Sequence, residues 1–286
     1  MREYIEKAKV LAEALPYINE FKGITVVIKY GGSALINLEI KDSLIKDIAL
    51  MKFVGFKPVV VHGGGPEINA MLKRLDIESR FVNGLRVTDE QTMEIVEMVL
   101  TGKLNKEITT ELSLQGVHAA GISGKDGRSI QVEKYMPGGE DIGLVGTIKK
   151  VDTTLIKTLI NNDFVPVISP IGVDENGIGY NVNADTAAVA IAGALNAEKL
   201  VFLTDVAGIL HDRSDMNSVY SRVKSGKILE MIEQGLISGG MVPKVESCIE
   251  AVRAGVQHVH ILDGRVEHCL ILEIFTKEGI GTMIER

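Results

Sequence analysis

Two short stretches constrain the fold of this chain more than any other: Val26-Val27-Ile28-Lys29-Tyr30-Gly31-Gly32 and Val59-Val60-Val61-His62-Gly63-Gly64-Gly65. Three consecutive β-branched residues favour a strand covered on both faces, as in a parallel sheet. Glycines directly after them let the backbone turn sharply and lie close against a ligand. In open α/β sheets ligands bind in the crevice at the carboxyl ends of the strands, and Lys29 puts a positive charge there. The expected ligand is an anion, with phosphate the leading candidate.

The remaining sequence alternates in the same way. Strands are expected at Thr25 to Tyr30, Lys57 to His62, Val117 to Gly121, Val165 to Pro170, Leu200 to Thr204 and Val256 to Leu262. Helices are expected near Ile40 to Phe53, Glu67 to Leu75, Glu90 to Leu114, Thr153 to Asn161, Asp185 to Leu195, Lys227 to Gln234 and Pro243 to Ala254. This βαβα pattern predicts an α/β fold with a mainly parallel open sheet covered by helices on both faces. Between Gly124 and Val151 shorter alternation around Pro137-Gly138-Gly139 predicts an antiparallel hairpin or lid. No low-complexity linker divides the chain, so two lobes of one sheet are expected, 23–175 and 176–286, after a leading segment 1–22. In that segment Ile5, Ala8, Leu11, Ala12, Leu15 and Ile18 make an amphipathic helix that Pro16 should kink. It either packs on its own domain or docks against another subunit.

Composition narrows the partners. The chain has 286 residues, 45% of them hydrophobic, enough to fill a sizeable core. Its 38 acidic and 31 basic residues leave a net charge of -7, and with no Trp this argues against nucleic acid as principal partner. An acidic protein that binds an anion must concentrate positive potential locally, which makes lysines in glycine turns informative. Cys248 and Cys269 form no CxxC pair, pointing to a reducing, cytoplasmic location. Glu3, Glu6 and Glu13 interrupt any signal-peptide core, and the apolar run Ala187 to Leu195 is too short to span a bilayer, so no membrane role is expected.

Familiar phosphate signatures are missing. There is no GxxxxGK[ST], and Ile68 occupies the third glycine position of GxGxxG after His62. A glycine turn followed by a helix with Pro66 at its first position still makes an anion site, although a purely structural turn is common. Asn83-Gly84-Leu85-Arg86-Val87-Thr88 places an arginine in a loop, where it either grips a carboxylate with two parallel hydrogen bonds or is simply solvated. In Tyr180-Asn181-Val182-Asn183-Ala184-Asp185, Asp185 reads as the N-cap of the following helix, while Asn181 and Asn183 alternate toward one face. Thr204-Asp205-Val206-Ala207-Gly208-Ile209-Leu210 puts polar residues at another strand end. Ser238-Gly239-Gly240-Met241-Val242-Pro243-Lys244 puts a lysine at a helix N-terminus, where the macrodipole disfavours a cation unless an anion offsets it.

Taken in order, these stretches resemble the motifs of the N-acetylglutamate kinases, a branch of the amino acid kinase family, from about Thr25 to the C-terminus. The first lysine with its double glycine and the late lysine are shared with glutamate 5-kinase, carbamate kinase, aspartokinase and uridylate kinase. The Asn-Gly-Leu-Arg-Val-Thr and Asn-Val-Asn-Ala-Asp stretches are the ones that point to acetylglutamate. The resemblance implies a three-layer αβα sandwich with the amino-acid substrate on the N-terminal lobe and MgATP on the C-terminal lobe. It implies that Lys29 and Lys244 stabilise the transferring phosphoryl group, that Gly32 lines its path and that Asp185 orients the two lysines. Gly64, Gly65, Arg86, Asn181 and Asn183 are implied for acetylglutamate, and Asp205, Val206, Gly208, Ile209, Leu210, Leu236, Ile237 and Ser238 for the nucleotide. Mg²⁺ is implied on the ATP, with no protein side chain as ligand.

A γ-carboxylate, with a reference pKa of ~4.3, is ionised near neutrality, so its attack on ATP needs no general base. The requirement is in-line placement of two anions and screening of the transferred charge. The resemblance extends to the arginine-sensitive members, whose kinked leading helix interlaces dimers into a hexamer. It implies L-arginine as inhibitor at His260, Glu273 and the backbone near Gly279, and leaves a PII-type protein as a possible partner. Other enzymes of the family and a ligand-sensing module without catalysis are the competing readings, the latter weakened by two lysines that a sensor does not need. His211 to Tyr220 reads as a polar loop beside the nucleotide.

Overall fold

The computed structural model describes residues 4, 9, 12–31, 37–212, 215, 218–276 and 279–286. Fourteen strands are described: β1 Thr25–Tyr30, β2 Lys57–His62, β3 Phe81–Val82, β4 Leu85–Arg86, β5 Ala119–Ser123, β6 Ile130–Lys134, β7 Gly146–Val151, β8 Val165–Ser169, β9 Ile171–Val173, β10 Gly179–Asn181, β11 Lys199–Thr204, β12 Arg222–Lys224, β13 His258–Asp263 and β14 Thr282–Glu285. Eight of them form the main sheet in the order β12-β14-β13-β11-β1-β2-β8-β5. All pairs from β13 to β5 are parallel, and β14 runs antiparallel to β13. A second, four-stranded sheet in the order β10-β9-β6-β7 contains the expected hairpin, β6 against β7.

Alternation along the strands assigns each side chain to a face. Val26, Ile28 and Tyr30 of β1 and Val60 of β2 join the core under the helices Leu38–Phe53 and Asn105–Leu114. Val27, Val59 and Val61 face the opposite core under the helix Ala184–Leu195. That helix meets the sheet through Ala187, Ala188 and Ala192, all fully buried, and small side chains let it lie close across the strands. Each buried Val or Ile contributes roughly 1.5–3 kcal/mol of apolar transfer. Lys29 follows Val27 by two residues, so it emerges on the side of the helix Ala184–Leu195.

Several boundaries differ from the sequence expectation. β5 starts two residues later than expected. The expected helix Glu90 to Leu114 is helical throughout, but its middle, Met98–Leu104, is π-helical. The helix expected to begin at Pro243 begins at Met241, leaving Lys244 still in its first turn. Asp185 is not an N-cap: the cap is Asn183, whose side-chain oxygen accepts from the Asp185 and Thr186 amides at 2.8 and 3.1 Å. In the leading segment, a turn at Ala14 precedes the helix Leu15–Phe21 with Pro16 in its first turn, while Ile5, Ala8 and Leu11 lie outside the described residues.

Candidate active site

The carboxyl ends of β1, β2 and β11 carry the site. Chain connectivity leaves β1 toward β2 on one side and returns to it through β11 on the other, the switch point where open α/β sheets bind ligands. At the tip of β1 the Lys29 ammonium lies 2.8 Å from Asp185 Oδ1, a charge contact without hydrogen-bond alignment, since that oxygen has no hydrogen-bond partner. The small Ala184 side chain stands where a Cβ on Gly63 would be 3.6 Å away, so the glycine turn after β2 sits directly against the start of the helix. Gly32, expected on the transfer path, lies outside the described residues.

The second glycine turn opens a cleft of about 170 Å³ whose lining includes Gly64, Gly65, Arg86, Asn181 and Asn183. All five residues expected for the amino-acid substrate therefore meet in one place. Gly64 is required by packing rather than by backbone angle: a Cβ there would lie 2.4 Å from Leu104 Cδ1 and 2.6 Å from Leu100 Cδ2. Gly65 faces open space. Arg86 is only 7% exposed, and its guanidinium hydrogen-bonds the Ser79 hydroxyl, donates to the Gly65 carbonyl at 3.4 Å and stacks over Phe81 at 4.8 Å. No carboxylate among the described residues pairs with it, and burial alone lowers its pKa. A buried guanidinium with only neutral partners favours an anion beside it. Asn181 donates to the Thr88 hydroxyl at 3.2 Å, whereas the oxygen of Asn183 is already committed to the helix cap.

A second cavity, of about 260 Å³, is lined by Val206, Ala207, Gly208, Ile209, Leu210, Leu236, Ile237, Ser238 and Met241. It gathers seven of the eight residues expected for the nucleotide into a mostly apolar slot. Gly208 has φ +149°, and a Cβ there would come within 2.5 Å of Thr282 Oγ1, so this loop folds back on β14 only with glycine. The eighth residue, Asp205, pairs with Lys244 at 2.6 Å, and that ammonium holds the Asp205 carboxyl below the usual carboxylate range. Asp185 thus contacts Lys29 and not Lys244, which has its own carboxylate. The helix Met241–Arg253 packs on Ala184–Leu195, and Cys248, one turn after Lys244, feels the Asp185 charge. Asp205 as partner of Lys244 is not readable from spacing, because 39 residues separate them.

A third cavity, of about 290 Å³, lies between the leading helix and the last strands. Tyr17, Phe21, Lys199, His260, Glu273 and Gly279 all line it. His260 Nδ1 is 2.7 Å from Glu273 Oε1, and Glu273 Oε2 accepts from the Ile280 and Gly281 amides at 2.8 and 3.1 Å. Burial lowers the pKa of His260, and its Nε2 is buried without a partner, which fits a neutral ring. Lys199, whose pKa burial also lowers, sits 4.7 Å over the Phe21 ring. At the ends of the stretch expected as a polar loop, the His211 and Tyr220 rings stack at 3.3 Å; residues 213, 214, 216 and 217 lie outside the described residues. No helix among the described residues is long and apolar enough to cross a membrane.

Residues 25–263 match the amino acid kinase family, and the chain belongs to that family. It is 58% identical over 280 residues to the acetylglutamate kinase of Thermoanaerobacter sp. (strain X514), covering 98% of this chain and 93% of that one. The acetylglutamate kinase of Heliobacterium modesticaldum is 54% identical over 293 residues, with 99% of both chains covered. Among solved structures, N-acetylglutamate synthase from Neisseria gonorrhoeae superposes with a TM-score of 0.85 at 26% identity. That match covers 98% of this chain and 63% of the longer synthase chain. Carbamate kinase from Giardia lamblia, at 18% identity and a TM-score of 0.64 over 92% of this chain and 99% of its own, shares the fold. The mainly parallel α/β sheet and two-lobed architecture expected from sequence are those of this family.

Proposed function

We propose that this ATP-dependent phosphotransferase moves the γ-phosphate of ATP to the γ-carboxylate of N-acetyl-L-glutamate. The observation that carries the reading is Arg86, a buried guanidinium with no acidic partner among the described residues, over a cleft floored by the Gly63–Gly65 turn. It suits the α-carboxylate of an amino-acid acceptor, and Asn181 and Asn183 line the same cleft. Residues 23–175 form the acceptor lobe and 176–286 the nucleotide lobe. The apolar slot of Val206, Ile209, Leu210 and Ile237 fits a purine base, and Gly208 and Ser238 border it.

Mg²⁺ bound to the triphosphate supplies charge neutralisation when ATP is present. Lys29 and Lys244 carry the remaining positive charge from opposite sides of the transfer path, each held by a carboxylate, Asp185 and Asp205. Asp205 yields Lys244 to the phosphoryl group as it is transferred, because the charge that develops there in the transition state competes for the same ammonium. The amides of the second glycine turn border the transfer path, and Gly32 is assigned to that path by its motif alone. The acceptor carboxylate is ionised at neutral pH and attacks without a base.

The third cavity is the site for feedback inhibition by L-arginine, with Glu273 facing the guanidinium and the backbone near Gly279 facing the carboxylate. The leading helix beside it docks on a neighbouring dimer to give a hexamer, and a PII-type protein is a further partner of a cytoplasmic enzyme of this kind. Incubation with N-acetyl-L-glutamate and MgATP, followed by hydroxylamine trapping, tests the reaction itself. An acyl phosphate yields a hydroxamate; ADP release without hydroxamate would remove the γ-carboxylate as acceptor.

A further inference from the structure

His62 lies at the tip of β2, fully buried, immediately before the glycine turn. By strand alternation it shares the face of Val60, turned toward the helix Asn105–Leu114 and away from Lys29. Its Nδ1 is 2.9 Å from the carbonyl oxygen of Gly63, the next residue, and its Nε2 is 3.2 Å from Asn105 Nδ2. Asn105 is itself fixed on both sides. Its two Nδ2 hydrogens are shared among His62 Nε2 and the Val167 and Ile122 carbonyls, the latter at 2.9 and 3.3 Å, and its Oδ1 accepts from Lys106 Nζ at 3.0 Å. The amide orientation is thus set by three neighbours, and its nitrogen faces the imidazole.

These contacts leave one protonation state. A carbonyl only accepts, so His62 Nδ1 carries the proton; an amide nitrogen only donates, so Nε2 is bare. Burial together with the Lys106 charge lowers the His62 pKa to about 4, so the ring is neutral at physiological pH. Lys106 is the charged group whose field reaches the ring, and it is tied to the Gly121 carbonyl at 2.8 Å.

The consequence falls on the turn. The described peptide bonds are all trans, so the Gly63 carbonyl and the Gly64 N–H point in opposite directions across one plane. Holding the carbonyl on the buried side sends the Gly64 N–H toward the cleft, and no acceptor among the described residues takes it. The π-helical stretch Met98–Leu104 ends immediately before Asn105, and its Leu100 and Leu104 occupy the space a Cβ on Gly64 would need. The relay from the helix to the turn is therefore built of three parts: Asn105, the imidazole and the Gly63 carbonyl.

We infer that His62 is a positioning residue: locked by Asn105 as the Nδ1–H tautomer, it fixes the Gly63–Gly64 peptide so that the Gly64 amide meets the anion being transferred. This inference rests on the proposed phosphotransfer reading of the cleft. Two measurements test it separately from that reading. Nitrogen-15 NMR of the ligand-free protein at pH 7 should show His62 as the neutral Nδ1–H tautomer; an Nε2–H tautomer or an imidazolium would overturn it whatever the substrate. In steady-state assays, His62→Leu should lower kcat at least about tenfold with KM for ATP within twofold, because one oriented donor on the transferring group is lost. His62→Asn, which can keep a donor near the Nδ1 position, should recover most of that loss. Equal kcat values for wild type and His62→Leu would sink the inference, as would equal losses for the Leu and Asn variants. An inactive wild type would instead strike the proposed reaction.

Discussion

Lys29 and Lys244 carry the same charge but stand in different company. Lys29 is partly buried against Asp185 on a strand tip, whereas Lys244 opens a helix and leans on the exposed Asp205. An ammonium in the first turn of a helix is disfavoured by the macrodipole, so its presence there needs an anion, which Asp205 supplies. Lys244→Ala is expected to lower kcat by roughly 10²- to 10³-fold while KM for ATP moves little, the pattern of a contact made mainly in the transition state. A variant with near-normal turnover would take Lys244 out of the mechanism. On the proposed reading Arg86 acts in the ground state. Arg86→Lys keeps the charge and loses the fork, so KM for acetylglutamate should rise roughly 10- to 100-fold, with KM for ATP unchanged. Steady-state titration of each substrate distinguishes the two effects.

At the scale of elements, the helix Ala184–Leu195 links the two halves of the site, since its first turn supplies Asp185 to Lys29 and its cap residue borders the acceptor cleft. Asn183→Ala removes the two side-chain bonds that cap it. A loss of about 1 kcal/mol in stability is expected, read from the urea midpoint, together with a fall in activity as Asp185 loosens. The strands β1 and β2 were fully legible in the sequence, because three β-branched residues ending in glycine leave few other conformations. The cap was not, because Asn183 and Asp185 are both good capping residues and the choice depends on Lys29, more than 150 residues away in the chain. The π-helical turn at Met98–Leu104 was equally hidden: its apolar residues keep a helical spacing, and only the packing of Leu100 and Leu104 against Gly64 and the placement of the following Asn105 beside His62 show what the altered phase achieves. Lys244 with Asp205, and His62 with Asn105, were hidden as well, because both pairs depend on the assembled sheet.

For the whole molecule, the cavity beside the leading helix joins residues from both ends of the chain, Tyr17 and Phe21 with His260, Glu273 and Gly279. Deleting residues 1 to 20 should give an active enzyme of lower mass that arginine no longer inhibits; a truncated hexamer still inhibited by arginine would refute the regulatory reading. Two buried imidazoles also tie global stability to pH. His62 in the folded protein binds a proton only near pH 4, whereas an unfolded histidine does so near 6.5. The unfolded state therefore binds more protons in that window, so stability is full above about pH 6.5 and falls as pH drops toward 4, by about 3 kcal/mol from His62 alone. His260 acts in the same direction. Urea midpoints should decrease between pH 7 and pH 5, and a flat profile would contradict the buried neutral rings. The most direct test of the acceptor compares kcat/KM for N-acetyl-L-glutamate, L-glutamate and carbamate with saturating MgATP. Acetylglutamate should exceed the other two by orders of magnitude; turnover of glutamate or carbamate with none of acetylglutamate would contradict the account.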